Sequence, residues 1–207
     1  MNRLRRAWYQ HKYKHTQHAA LFQRYQGDEL VSLDCETTSL DPHRAELVTI
    51  AATRIKANRI LTSQSIHLSL QAPSSLDSAS IAIHQIRHQD LQHGLDNEQA
   101  LTQLLDFIGN RPLVGYHIRY DKTILDRYYQ QYFGFPLPNP LVEVSHLYHE
   151  RLERLLPNAY YDLSLEAISH HLGLPAPERH DALEDAITAA LIYVRLKHGD
   201  MPMLTSS

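Results

Sequence analysis

The chain has 207 residues, with 20 Lys and Arg, 23 Asp and Glu, and a single cysteine, Cys35. That length suits one domain around one core, and a hydrophobic share of 43% is ordinary for a soluble globular protein. An internal disulfide is excluded, no apolar run approaches the roughly 20 residues that span a bilayer, and the charged N-terminus lacks the apolar stretch of a secretory signal, so the expected setting is a reducing cytoplasm with no membrane partner.

Charge is unevenly spread. Residues 1–27 carry Arg3, Arg5, Arg6, Lys12, Lys14 and Arg24 and no acid, a net +6, while residues 28–207 carry −9. Trp8, Tyr9, Tyr13 and Tyr25 are interleaved with these charges. The segment reads as a partly helical basic extension. It suits contact with a polyanion, docking on the chain's own acidic body, or a protein partner, and charge alone does not choose. The expected organisation is this extension, a main domain over 28–200 and a short tail over 201–207.

From Glu29 the pattern changes. LVSLDC (30–35) is a short apolar strand and LVTIAATRI (47–55) a second. A tight turn at Ala57 and Asn58 leads into RILTSQSIHLSL (59–70). Strict alternation there would place Ile60, Thr62, Gln64, Ile66, Leu68 and Leu70 on one face. These three form an antiparallel meander. Helical patterns follow near 78–92 and 97–108. LVGYH (113–117) is a fourth strand, with a helix over 121–133 behind it. GFPLPNP (134–140) is a break, and helices are expected at 143–155, 164–171 and 181–198. Strands first and helices interleaved later indicate an α/β fold with a mixed sheet flanked by helices.

Three clusters carry chemistry. In Asp34-Cys35-Glu36-Thr37-Thr38, strand alternation puts Asp34 and Glu36 on one face and Cys35, read as a core residue, on the other. Two carboxylates at a strand end repel unless a cation lies between them, although an exposed acidic strand end is common. In VGYHIRYD (114–121), Asp121 opens a helix, and its local reading is an N-cap. In HDALEDA (180–186), Asp185 enters a helix that is apolar almost all round, hence buried. A carboxylate at its start needs a partner or a metal. Helical spacing sets it opposite the stripe Leu183, Ala186, Ile187, Ala190, Leu191, where water would also satisfy it.

Taken in order, the three clusters resemble the motifs of the DEDDh 3′–5′ exonucleases. LDCETTSL is similar to the first motif, VGYHIRYD to the second and HDALEDA to the third, and IHQIRHQDL (83–91) is similar to a segment between the first two. The resemblance covers about residues 29–198. It departs at Tyr116 and His117, where the family usually has His-Asn, at Tyr120, which stands in for Phe, and at Gln85, which follows His84 where Gly is frequent.

The resemblance implies a ribonuclease H-like fold and two divalent cations, Mg²⁺ or Mn²⁺, held by oxygen ligands. It implies that Asp34, Glu36 and Asp185 bind the first and that Asp34 bridges to the second, where Asp121 acts directly or through water. His180 takes the place of the general base. Thr37, Thr38 and Leu40 match positions that hold the terminal nucleotide, with substrate contact also at His117. A nucleic-acid 3′ end, single-stranded or frayed, is the expected partner, and a 5′-mononucleotide the expected product. A short C-terminal tail favours an auxiliary or stand-alone DNA repair or proofreading-type enzyme. An RNA 3′-end processing enzyme and a non-catalytic binding module on the same fold are the competing readings.

Overall fold

The computed structural model describes residues 1–157, 160–175, 181–200 and 202. Helix α1 spans Arg3–Lys12, its first turn closed by Asn2, whose side chain accepts from the Arg5 N–H at 2.9 Å. A 3₁₀ turn follows at Ala19–Phe22. Strands β1 (Glu29–Thr37), β2 (Leu47–Lys56) and β3 (Arg59–Ser69) form the expected antiparallel meander. Then come α2 (Ser78–His84), α3 (Asn97–Ile108), β4 (Leu113–Gly115), α4 (Ile118–Phe133), β5 (Leu141–Glu143), α5 (Val144–Leu155), α6 (Leu165–His171) and α7 (Ala182–His198). The sheet order is β3-β2-β1-β4-β5, with β4 and β5 running parallel to β1's direction. This is the expected α/β architecture, a mixed sheet with helices packed on it.

Four local readings are corrected. β5 was not expected: its three residues are too few to show an alternation, and they run straight into α5. The helix read over 78–92 stops at His84, because Gln85 takes a left-handed conformation (φ 59°) and a separate 3₁₀ turn covers His88–Leu91. The frequent glycine after this histidine in the resembling family is the residue type such a φ favours. In β3 the pairing jumps from Thr53↔Ser65 to Arg54↔Leu61, so three residues bulge out of register. An odd insertion inverts the facing, and Ile60 therefore packs on the opposite side of the sheet from Ile66 and Leu68. Finally, α4 begins at Ile118, three residues before Asp121.

The core lies on both faces of the sheet. Val31, Leu33 and Cys35 of β1 point into one layer with α3 and α4. The intervening positions face the other side, where α7 crosses β1 and β2. Residues 1–27 are built into the first layer. Tyr9 and Phe22 are buried with ring centroids 5.3 Å apart, and Phe22 meets Phe135 at 5.3 Å. Arg6 donates to the Pro138 carbonyl at 2.6 Å, and the Tyr13 hydroxyl donates to the Phe133 carbonyl at 3.2 Å. The segment thus docks at the C-terminal end of α4, about 20 Å along that helix from its first turn. Of its aromatics Trp8 stays 56% exposed. Apart from Pro202, the tail over 201–207 lies outside the described residues.

Candidate active site

The site forms where β1 ends. Asp34 and Glu36 share the face of β1 that looks toward α7, because side chains two apart in a strand point the same way. Glu36 is 8% exposed. On α7, the buried positions Ala182, Ala189, Ile192 and Leu196 recur at helical spacing, and Asp185 falls on that same sheet-facing stripe. Of the stripe read from the sequence, Ala186 and Ala190 are buried, whereas Leu183, Ile187 and Leu191 are only half-buried. Carboxylate oxygens of Asp34, Glu36 and Asp185 come within 4.8 Å of one another. Asp181, not singled out from the sequence, caps α7 by accepting from the Leu183 and Glu184 N–H groups at 2.9 and 3.1 Å. That cap holds the turn that carries Asp185.

Asp121 approaches from the other side of the strand end. It sits inside the first turn of α4, 3% exposed, and is not the N-cap. His117 occupies the cap position with φ 53°, a left-handed conformation in which Asn and His are enriched over most residues, and its side chain makes no cap bond. The chain can turn this tightly out of β4 because Gly115 has no Cβ, which would meet the Leu33 carbonyl at 2.8 Å. Burial, then the charge of the adjacent Asp121, raises the Cys35 thiol well above its usual range. Cys35 is a core residue as read, but its nearness to Asp121 was not legible in strand alternation.

The electrostatics are those of crowded, buried carboxylates. Burial, then the charges of Asp121, Asp185, Glu36 and Asp181, hold Asp34 well above the usual carboxylate range. Burial and the neighbouring Asp185 and Asp181 raise Glu36 to about 7. Burial raises Asp121 to about 8. None of the five ion pairs formed among the described residues involves Asp34, Glu36 or Asp121. An all-oxygen donor set whose members repel one another fits hard divalent cations.

These residues line a cleft of about 470 Å³ with Thr37, Thr38, Leu40, His84, His117 and Tyr120. Leu40 stands 86% exposed at the rim. The Thr38 hydroxyl lies 2.7 Å from Ser75 Oγ and accepts from the Glu46 N–H at 3.1 Å, so it fastens the loop it sits on. His84 is buried in the wall, and its Nδ1 accepts from the Ile86 N–H at 3.1 Å. His180 lies outside the described residues.

A family model of exonucleases, the RNase T type, matches residues 31–193. The chain belongs to the DEDDh-type 3′–5′ exonuclease family. It is 26% identical over 167 residues to the DNA polymerase III subunit epsilon of Aquifex aeolicus, covering 80% of this chain and 79% of that protein. It is 26% identical over 171 residues to the PolC-type DNA polymerase III of Thermotoga petrophila, covering 83% of this chain and 12% of the polymerase. The chain thus spans only a small part of the PolC-type relatives that it matches. E. coli exonuclease I in complex with a dT13 oligonucleotide shares the fold, with a TM-score of 0.68 at 14% identity over 83% of this chain and 41% of that one. Cell-death related nuclease 4 superposes with a TM-score of 0.68 at 17% identity, over 83% of this chain and 65% of the other. As a member of the DEDDh exonucleases the chain carries that family's exonuclease domain over residues 31–193. No helix among its described residues is long and apolar enough to cross a membrane.

Proposed function

We propose that the protein removes 5′-mononucleotides one at a time from the 3′ end of DNA, as an auxiliary or stand-alone repair or proofreading-type exonuclease. The observation that carries this reading is the convergence of Asp34, Glu36 and Asp185 within 4.8 Å on the floor of an open cleft. Support for DNA comes from the polymerase III relatives and from the oligonucleotide complex of the E. coli exonuclease I neighbour.

Asp34, Glu36 and Asp185 would hold one divalent cation, with Asp34 and Asp121 serving a second, Mg²⁺ or Mn²⁺. When bound, such ions supply Lewis-acid stabilisation of charge on phosphoryl oxygens. The chain's own residues do the rest. His180 accepts the proton of the attacking water, a task suited to a side chain whose pKa lies near working pH. Leu40 lies against a base of the terminal nucleotide, and Thr37, Thr38 and His117 line the space around its sugar and phosphate. The first turn of α4 keeps Asp121 oriented.

The test is digestion of 3′-labelled single-stranded DNA, duplex DNA and RNA in parallel, with Mg²⁺ or Mn²⁺ and with a chelator. Release of 5′-mononucleotides from DNA, blocked by a 3′-terminal phosphate and by EDTA, is expected. Preferential digestion of RNA would move the protein to RNA 3′-end processing. Cutting of a circular single strand would contradict the exonuclease reading.

A further inference from the structure

A second concavity of about 540 Å³ adjoins the carboxylate cleft, lined by Leu40, His117, Arg119, Tyr120, Glu143 and Ser145. Leu40, His117 and Tyr120 line both. They form a ridge between the two spaces, with Leu40 at its exposed crest. Cations are distributed unevenly across that ridge. Among the described residues the carboxylate cleft is lined by Asp34, Glu36, Asp77, Asp121 and Asp185 and by no Lys or Arg. The adjoining space has Arg119.

Arg119 and Asp121 leave the first turn of α4 in nearly opposite directions, since two residues subtend about 200° on a helix. Asp121 therefore turns inward to the strand end, while Arg119 is exposed. Among the described residues its guanidinium has no hydrogen-bond or ion-pair partner. Glu143, the acid in the same lining, does not engage it. Glu143 Oε1 instead accepts from the N–H groups of His117 and Ser145, at 3.0 and 3.3 Å. A polyanion leaving an acidic cleft needs a positive charge along its path, and Arg119 supplies one.

Resting on the exonuclease reading of the carboxylate cleft, we propose that the strand leaves it over the Leu40–His117–Tyr120 ridge and that Arg119 binds the phosphate of the next internucleotide linkage, one step upstream of the bond that is cut. Arg119 is then a binding residue for polynucleotide chains as opposed to isolated mononucleotide esters. An arginine suits the role because its planar donors match two phosphate oxygens. The ridge divides the terminal nucleotide from the rest of the strand, so the upstream contact favours substrates at least two linkages long.

The experiment compares the full chain with Arg119→Ala and Arg119→Lys on two single-stranded oligonucleotides. In one, the linkage upstream of the scissile bond is an ordinary phosphate; in the other it is a neutral methylphosphonate. Binding is read by fluorescence anisotropy with Ca²⁺, and KM and kcat with Mg²⁺. On the ordinary strand Arg119→Ala is expected to weaken binding about three- to fivefold, the range of one exposed charge pair, and to flatten the log K against log salt slope by about 0.7. Arg119→Lys should retain most of the affinity. On the methylphosphonate strand the wild-type and Arg119→Ala proteins should bind alike. If methylphosphonate penalises both proteins equally, or Arg119→Ala leaves the salt slope unaltered, Arg119 does not contact that phosphate. Binding without any cleavage would overturn the exonuclease reading instead, while the anisotropy comparison would still decide the role of Arg119.

Discussion

The Tyr120 hydroxyl lies 2.6 Å from the Thr37 Oγ1 and also donates to the Ser39 carbonyl, tying the first turn of α4 to the loop that leaves β1. Leu40 is the next residue on that loop. The family's usual Phe at this position has no hydroxyl, so this tether belongs to the departure at Tyr120.

Tyr120→Phe should keep the ring and lose the tether. One net hydrogen bond is worth about 1 kcal/mol, which for a domain of this size moves the melting temperature by only about 2–4 °C. The expected result is a several-fold higher KM for single-stranded DNA with divalent-ion affinity unaltered. KM equal to wild type would show that the loop is held without Tyr120.

The carboxylates and His180 should separate in mutational tests. Asp34→Ala is expected to lose both cation binding, measured by calorimetry, and activity. His180→Ala should bind cations as wild type does and lose about 10²–10⁴ in rate, the usual contribution of a general base. A near wild-type rate for His180→Ala would remove it from the mechanism.

Without metal, stability should fall as pH rises. Folded Glu36 and Asp121 hold their protons to about 7 and about 8, whereas unfolded carboxyls release theirs near 4. Between those values the folded state binds more protons, so each rise in pH favours unfolding, and the penalty is complete above the folded pKa values. In EDTA the melting temperature should be lower at pH 8.5 than at pH 5.5, and adding Mg²⁺ should recover most of the difference at pH 8.5. A higher melting temperature at pH 8.5 in EDTA would contradict the buried acidic cluster.

The N-terminal segment should act on stability. Phe22 is fully buried among Tyr9, Tyr13 and Phe135, so Phe22→Ala should cost about 3–5 kcal/mol. Deleting residues 1–27 would uncover Phe133 and Phe135 and should lower the melting temperature by about 10 °C or more. The salt dependence of DNA binding should barely move, because the segment docks at the far end of α4 from Asp121. A flattened salt slope with an unaltered melting temperature would return these residues to nucleic-acid contact.

Much of this protein could be read from residue order. Strand alternation in LVSLDC placed Asp34 and Glu36 on one face and Cys35 on the other, and the structure has them so. The meander and the long helices followed from periodicity and spacing, because those patterns are local properties of the backbone, and the three motifs were legible as a resemblance to the DEDDh exonucleases. What depended on two elements meeting could not be read in this way. Periodicity left Asp185 open between water and a partner or metal; only the packing of α7 across β1 turns it toward Asp34 and Glu36. Asp121 looked like a cap until α4 was found to start at Ile118. The bulge that inverts Ile60, the tether from Tyr120 to Thr37 and the docking of Tyr9 and Phe22 against Phe135 all join residues remote in sequence or shift a register. Periodicity gives the phase of a side chain on its own element, whereas the tertiary structure decides which surface that phase confronts.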